Sequence, residues 1–226
     1  VYVTPHHQYP TTAVLPADRR VRLLALARVH RFAIIEDDYD HEFHYEGRPI
    51  LPLASADRDG LVVYVGTLSK NLAPGLRLGF VAGPKALVRA LAAARVVNDR
   101  QGDATLEEAV GELLEDGEVA RHARKMRRIY LARRDALVEA IARELAGVVL
   151  ATPPVGGMAL WARVDPKVDL DGWRRAAAAA GVGLAPGRAF HIAGRPVPAL
   201  RLGFARWNER ELRQAVRTLA RVRPRR

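Results

Sequence analysis

Short unbroken apolar runs alternate with helical patterns through the first hundred residues, and this alternation narrows the fold further than any other feature of the chain. VYV at 1–3 is strand-like, and PADRR at 16–20 opens a helix whose apolar positions Val21, Leu24 and Ala25 follow helical spacing. FAII at 32–35 follows, then LVVYV at 61–65, then LGFVA at 78–82, which stops at Gly83-Pro84 before a helix through Ala94. Apolar runs with no polar alternation suit strands buried on both faces, as in a parallel sheet covered by helices. Strand, helix, strand, strand, strand, helix therefore predicts an α/β fold with a mostly parallel sheet.

The texture changes after about residue 104. A long helix is predicted over 118–145, with Val119, Ala123, Met126, Tyr130, Leu137, Ile141 and Leu145 near helical spacing and Gly147 as its stop. Strands are expected at 148–150, 158–162 and 199–204. Helices are expected at 169–180, closed by Gly181, and at 209–222, where Asn208 and Glu211 are spaced as a capping box ahead of Leu212, Ala215, Val216 and Leu219. The second half reads as a smaller α+β domain. The 226 residues are long enough for two domains, expected at 1–112 and 113–226.

The formal charge of +11 is unevenly spread: residues 1–112 hold 13 basic and 14 acidic side chains, residues 113–226 hold 23 and 11. All but four of the 36 basic residues are arginine, the exceptions being Lys70, Lys85, Lys125 and Lys167. A basic half can mark a polyanion surface, but no nucleic-acid-binding motif accompanies it, so it reads as solvated helix faces rich in arginine. The absence of cysteine excludes disulfides, thiolate metal sites and cysteine nucleophiles. No apolar run approaches the ~20 residues that span a bilayer, and the expectation is a soluble, cytoplasmic protein.

Open α/β sheets bind ligands beyond the carboxyl ends of their strands. Two such ends are chemically rich here: EDDYDHEFHY at 36–45 after the second run, and GTLSK at 66–70 after the third. In an extended segment Ile35, Asp37 and Tyr39 share one face while Glu36 and Asp38 share the other. That puts a carboxylate and a phenol side by side, with a lysine and hydroxyls at the next strand end. A pyridoxal phosphate site needs this set. The lysine amine forms an imine with the cofactor aldehyde, a carboxylate opposite the ring nitrogen keeps it protonated, and a phenol can bond the ring oxygen. Thr67, Ser69 and Arg77 offer hydroxyls and a guanidinium fork to a phosphate.

TLSK at 67–70 with PGLRLG at 74–79 resembles the lysine motif of fold-type I pyridoxal phosphate enzymes, the aspartate aminotransferase family. TPHHQYPT at 4–11, IEDDYD at 35–40 and HARKMRRIY at 122–130 further resemble MocR-type transcriptional regulators, in which a GntR-class winged helix-turn-helix is fused to an aminotransferase-like domain. The resemblance runs over nearly the whole chain, in the family's order. It implies that Lys70 carries the internal aldimine, Asp37 pairs with the pyridine nitrogen and Tyr39 contacts the ring hydroxyl. It further implies that Thr67, Ser69 and Arg77 hold the phosphate, and that Arg201 takes the α-carboxylate of an amino acid or related substrate or effector. Either Gln8 or Tyr9 stands for the Asn of the aminotransferase Asn-Pro-Thr-Gly motif. By the same resemblance the full-length protein is a homodimer and meets DNA only through a separate N-terminal module. This chain is then expected to be a C-terminal fragment that starts inside the large domain, downstream of the glycine-rich phosphate turn and of the aromatic residue stacked on the cofactor.

One departure is visible: Thr12 stands where the family motif ends in Gly. The residues also admit plainer roles. Asp37 and Asp38 are ordinary turn caps, Arg77 and Arg201 are two arginines among many, and His6, His7, His41, His44, His122 and His191 read as structural or exposed. The acid and imidazole run at 36–44 offers ligands for a divalent metal in a hydrolase, but it lacks a His-Glu-x-x-His pattern and leaves Lys70 unexplained. A phosphate-binding loop of the Gly-Lys-Ser/Thr type does not match Ser69-Lys70-Asn71. Between regulator and enzyme, the motifs at 35–40 and 122–130 favour the regulator, with a genuine class I/II aminotransferase as the alternative.

Overall fold

Parallel pairing of the apolar runs builds the first sheet. The computed structural model describes residues 1–48 and 50–224. They divide into one unit of Val1–Gln8 with Ala13–Met126 and another of Tyr9–Thr12 with Arg127–Arg226.

In the first unit, β1 (Tyr2–Val3), β2 (Ile34–Asp38) and β3 (Val62–Thr67) run parallel, and β4 (Gly79–Ala82) closes the order β1-β2-β3-β4 antiparallel to β3. Helix α1 (Ala17–His30) makes the crossover from β1 to β2, and the short α2 (Leu53–Ala56) lies between β2 and β3. Ala27, Ile34, Leu53 and Val62 form the buried centre, with Leu23, Leu24 and Phe32 packed against it. The short α3 (Leu68–Asn71) follows β3 directly, and α4 (Lys85–Asn98) and α5 (Ala104–Glu115) follow β4.

Three details differ from the sequence reading. The strand predicted at 32–35 begins at Ile34 and runs on through the acidic residues to Asp38, so these carboxylates belong to the strand itself. It is buried on one face, with Ile34 fully enclosed and Ile35 42% exposed, because α1 and α2 cover a single side of it. The α1 stripe is also rotated: Val21 is 67% exposed, and Arg20 takes the inward position beside Leu23, Leu24 and Ala27. Arg20 is tolerated there because its guanidinium donates to three backbone carbonyls, Leu15 at 2.9 Å, Leu51 at 2.8 Å and Pro5 at 2.8 Å, which ties three loops to the helix.

Gly66 is the one position of β3 where the register demands glycine. It pairs with Phe80 across β3 and β4, and a Cβ on it would lie 2.3 Å from the Phe80 ring. The ring instead lies over the bare backbone immediately before Thr67.

Beneath the sheet, alternation along β2 turns Glu36 and Asp38 inward, both buried. The Glu36 carboxylate accepts from the backbone N–H groups of Leu53 at 2.8 Å and Ala54 at 2.9 Å, the start of α2, although burial still raises its carboxyl. Asp38 accepts from the Tyr64 hydroxyl at 2.8 Å and has His6 Nδ1 at 3.1 Å and His41 Nδ1 at 3.2 Å. Burial favours the neutral acid, but His41 and His6 outweigh it and hold the Asp38 carboxyl well below the usual carboxylate range. Burial likewise opposes a charged His41, and Asp38 outweighs it, so this imidazole is held above its ordinary value. A second buried pair joins His7 Nδ1 to Asp40 at 2.7 Å. His6 and His7 are thus structural, as their plainer reading had it.

Helix α6 (Glu118–Glu144) is one continuous element, and a left-handed Gly147 lies just beyond it. The second unit holds the antiparallel sheet β5-β6-β8-β7, made of β5 (Val149–Leu150), β6 (Ala159–Val164), β7 (Ala185–Pro186) and β8 (Ala199–Gly203). Helices α7 (Leu170–Ala179) and α8 (Glu209–Arg221) supply Trp173, Leu212, Val216 and Leu219 to a core shared with Leu160, Ala162 and Leu200. The capping box of Asn208 and Glu211 is formed in both directions, and Gly181 after α7 is left-handed. Among the described residues no helix is long and apolar enough to cross a membrane.

Two predictions follow from this packing. Trp173 is fully enclosed and its indole N–H donates to the Leu219 carbonyl at 3.0 Å, so Trp173→Ala is expected to cost about 3–5 kcal/mol in urea unfolding. The Asp38–His41 contact sets a pH signature. The depressed carboxyl stabilises fully above about pH 4, the unfolded value, and loses this as pH falls through the folded value. The raised imidazole stabilises fully below about pH 6.5 and loses this as pH rises through the folded value. The melting-temperature advantage of the wild type over His41→Gln should therefore be largest near pH 5–6 and shrink toward about pH 9. An advantage that stays constant over that range contradicts the linkage.

Candidate functional site

The face of β2 opposite Glu36 and Asp38 presents Asp37 near the carboxyl end of the strand, in register with Val65 of β3. Parallel pairing also sets Tyr2 of β1 opposite Ile35, and from there the Tyr2 phenol donates to the Asp37 carboxylate. The limited burial of Tyr2 and this carboxylate push the phenol up to about 12. The charge on Asp37 is thus oriented by a residue that its position in the sequence does not single out. Tyr39, just past the strand, donates its hydroxyl to the His7 carbonyl at 2.8 Å, and the His7 ring is itself fixed by Asp40.

At the neighbouring strand end, Thr67 caps α3: its Oγ1 accepts from the Ser69 backbone N–H at 3.1 Å. The cap turns the chain so that Lys70 falls in the last turn of the short helix, exposed and with no hydrogen bond or ion pair to any described residue. Arg77 follows the 3₁₀ turn Pro74–Leu76 and is itself in the left-handed region, at φ 53°. Few non-glycine residues adopt that conformation, and it recurs at ligand-holding loops. The Leu68 N–H donates to the Leu78 carbonyl at 3.0 Å, which holds the Arg77 segment against the start of α3.

The first unit therefore gathers Asp37, Thr67, Ser69, Lys70 and Arg77 at the carboxyl ends of β2 and β3 and the loop leading back to β4. Gln8 also belongs to it, exposed, with its N–H on the Ala13 carbonyl at 2.8 Å. Tyr9 does not: it lies in the second unit, where the Arg201 guanidinium stands 4.8 Å above its ring. The two candidates for the Asn position thus fall in different units. Thr12, where the family has Gly, is held at φ 60°, so the left-handed turn persists without the residue that adopts it most easily.

The donor set fits pyridoxal phosphate: a carboxylate at one strand end, and at the next an unpaired amine, hydroxyls and a guanidinium with no carboxylate partner among the described residues. The metal reading fares otherwise. Among the described residues no group of three or more His, Asp or Glu could hold a metal ion.

The family model for aminotransferase class I and II matches residues 3–219. The chain is 34% identical over 220 residues to aromatic-amino-acid aminotransferase 1 of Thermococcus litoralis, covering 97% of this chain and 53% of that protein. It is 32% identical over 221 residues to the probable rhizopine catabolism regulatory protein MocR of Rhizobium meliloti, covering 97% and 44%. Among solved structures, Pyrococcus horikoshii kynurenine aminotransferase, in complex with PMP, superposes with a TM-score of 0.90 at 31% identity over 98% of this chain and 55% of that one. The chain spans about half the length of the relatives it matches. Its fold is the fold-type I fold of these transferases, and the chain belongs to the aminotransferase class I and II family.

Proposed function

We propose that the chain is the aminotransferase-like, pyridoxal-phosphate-binding part of a MocR-type transcriptional regulator. In this reading residues 1–112 belong to the large cofactor domain and residues 113–226 form the small domain. The carrying observation is Lys70, unpaired at the carboxyl end of β3, with the Tyr2-oriented carboxylate of Asp37 at the end of the adjacent parallel strand.

Pyridoxal phosphate, when bound, supplies a carbonyl for an amine and a ring that accepts the electron pair released at a ligand's α-carbon. The roles of the protein groups follow from their chemistry. Lys70 Nζ is the attachment point. Asp37 sets a negative charge against a protonated ring nitrogen, and Tyr2 holds that carboxylate in place. Tyr39 offers its phenol to the ring oxygen, exchanging the His7 carbonyl as partner. Arg77, with the hydroxyls of Thr67 and Ser69, takes the phosphate dianion. Gln8 or Tyr9 contacts the ring, and Arg201 receives the α-carboxylate of an amino acid or related effector. The regulator works as a homodimer in the cytoplasm and reads DNA through a domain outside this chain, with ligand binding shifting a conformational equilibrium.

The second reading is a genuine aminotransferase, favoured by the 34% identity to the Thermococcus litoralis enzyme. There Lys70 Nζ also moves the proton to and from the ligand's α-carbon.

Incubated with pyridoxal phosphate, the wild type should show the visible absorption band of a lysine-linked cofactor, and Lys70→Ala should lose it. A band that persists in Lys70→Ala removes Lys70 as the attachment point. Asp37→Asn should weaken cofactor binding about tenfold or more, as loss of an opposite charge at close range does. Amino-donor turnover at about 1 s⁻¹ or faster would select the enzyme over the regulator.

A further inference from the structure

We propose that Asn71 is a positioning residue for Lys70: its buried amide, held by the Glu42 carboxylate, fixes the rotation of α3 and so aims the lysine outward. This rests on the reading above, that Lys70 is the attachment point of the cofactor, and adds what holds the lysine ready. All the residues involved lie in the first unit.

Helix α3 is a single turn, too short to hold its own setting through internal hydrogen bonds. Leu68 and Asn71, three residues apart, form its buried side, and Lys70 between them is exposed. The start of the turn is fixed by Thr67, whose Oγ1 accepts from the Ser69 N–H at 3.1 Å. Its end is fixed by Asn71, whose Nδ2 donates to Glu42 Oε1. Neighbouring residues of a helix stand about 100° apart around its axis, so any roll that brings Asn71 out carries the lysine with it.

Glu42 is a firm anchor because of where it stands. It belongs to the turn after β2, which is closed by the Phe43 N–H on the Asp40 carbonyl at 3.1 Å. Phe43 is fully enclosed, and Asp40 is held by His7 at 2.7 Å. His41 Nδ1 stands 3.2 Å from Asp38 and 3.4 Å from Glu42, which joins the anchor to the buried network beneath the sheet. Burial raises the Glu42 carboxyl, and His41 and the Asn71 amide act against that rise.

Packing alone does not account for Asn71. An apolar side chain would fill the inner side of the turn beside Leu68 at no polar cost. Asn71 is instead only 6% exposed, and its Oδ1 has no hydrogen-bond partner among the described residues. What the amide supplies in return is direction, since a hydrogen bond to a fixed carboxylate sets an angle that an apolar contact leaves free.

An exchange of isosteric side chains tests this. Asn71→Asp removes the donor and sets a second carboxylate against Glu42. Adding Glu42→Gln restores one hydrogen bond, running the opposite way, at unchanged volume. Without cofactor, hydrogen exchange is followed by NMR at the Leu72 N–H, which donates to the Leu68 carbonyl at 2.9 Å. Exchange should quicken about tenfold in Asn71→Asp, the worth of one hydrogen bond to a charged group, and return close to the wild-type rate in the double variant. With pyridoxal phosphate, Asn71→Asp should bind about tenfold more weakly and shift the pH midpoint of the lysine-linked band, and the double variant should recover both. Unchanged exchange in Asn71→Asp, an increase spread evenly over β2 and β3, or a double variant as impaired as the single one overturns the proposal. A wild type with no band overturns the cofactor reading and leaves exchange to decide this one. A band whose affinity and midpoint ignore Asn71→Asp overturns this inference alone.

Discussion

The parallel register of β2 on β3 is the constraint from which the rest of the first unit follows. With Asp37 set against Val65 and Asp38 against Gly66, the period of two assigns every carboxylate of the acidic run to a face. Glu36 and Asp38 go inward, where an unpaired charge would be ruinous, and each meets its own compensation. Glu36 receives the first backbone donors of α2, and Asp38 receives a phenol and two imidazoles. These compensations fix other parts in turn. His6 anchors the segment that leads to Gln8, and Tyr64 is in tilted contact with the Phe80 ring that lies over Gly66. Asp37 alone of the three is left on the opposite face, so a one-residue slip would bury it and expose its neighbours.

The same rule organises the second unit with different material. There the antiparallel pairing of β6 with β8 sends leucine and alanine side chains to the α7 and α8 side, and Trp161 with Arg201 to the other. The core face is closed by Trp173, whose single polar atom is matched by the Leu219 carbonyl. The other face keeps a guanidinium whose Nε has no such match. Buried polar atoms without partners are rare in folded proteins.

Much of this was legible in the residues alone. The strands, the long helix, the glycine stops and the capping box each rest on local rules of spacing, and apart from the strand predicted at 32–35, which runs on to Asp38, each formed within a residue or two of where those rules put it. The local rules failed where tertiary partners decide. Nothing in the spacing of α1 distinguishes Val21 from Arg20 as the inward residue; three carbonyls from distant loops do. The run at 32–35 looks buried on both faces, but what covers a strand is set by its neighbours, and α1 and α2 cover one side. In the site, the alternation that separates Asp37 from Asp38 could be read directly, and the unpaired lysine was conspicuous from composition. Tyr2 could not be found this way, because its contact with Asp37 depends on the β1–β2 register. The rings around Arg201 were hidden for the same reason: Trp161, Phe190 and Tyr9 are scattered along the chain, and strand pairing and a 3₁₀ turn bring them together.

The relatives of this chain include both an aminotransferase and a regulator. The residues that would hold the cofactor sit on strand ends and on a capped helical turn, where register and hydrogen bonds fix them. Both uses need them in one geometry, since a lysine-linked ring is required whether the ligand is turned over or only sensed. The rings beside Arg201 are held differently, by a 3₁₀ turn, a strand residue and the short segment Tyr9–Thr12. An enzyme draws on such contacts by strengthening them in the transition state, and a regulator draws on them through unequal affinity for two conformations.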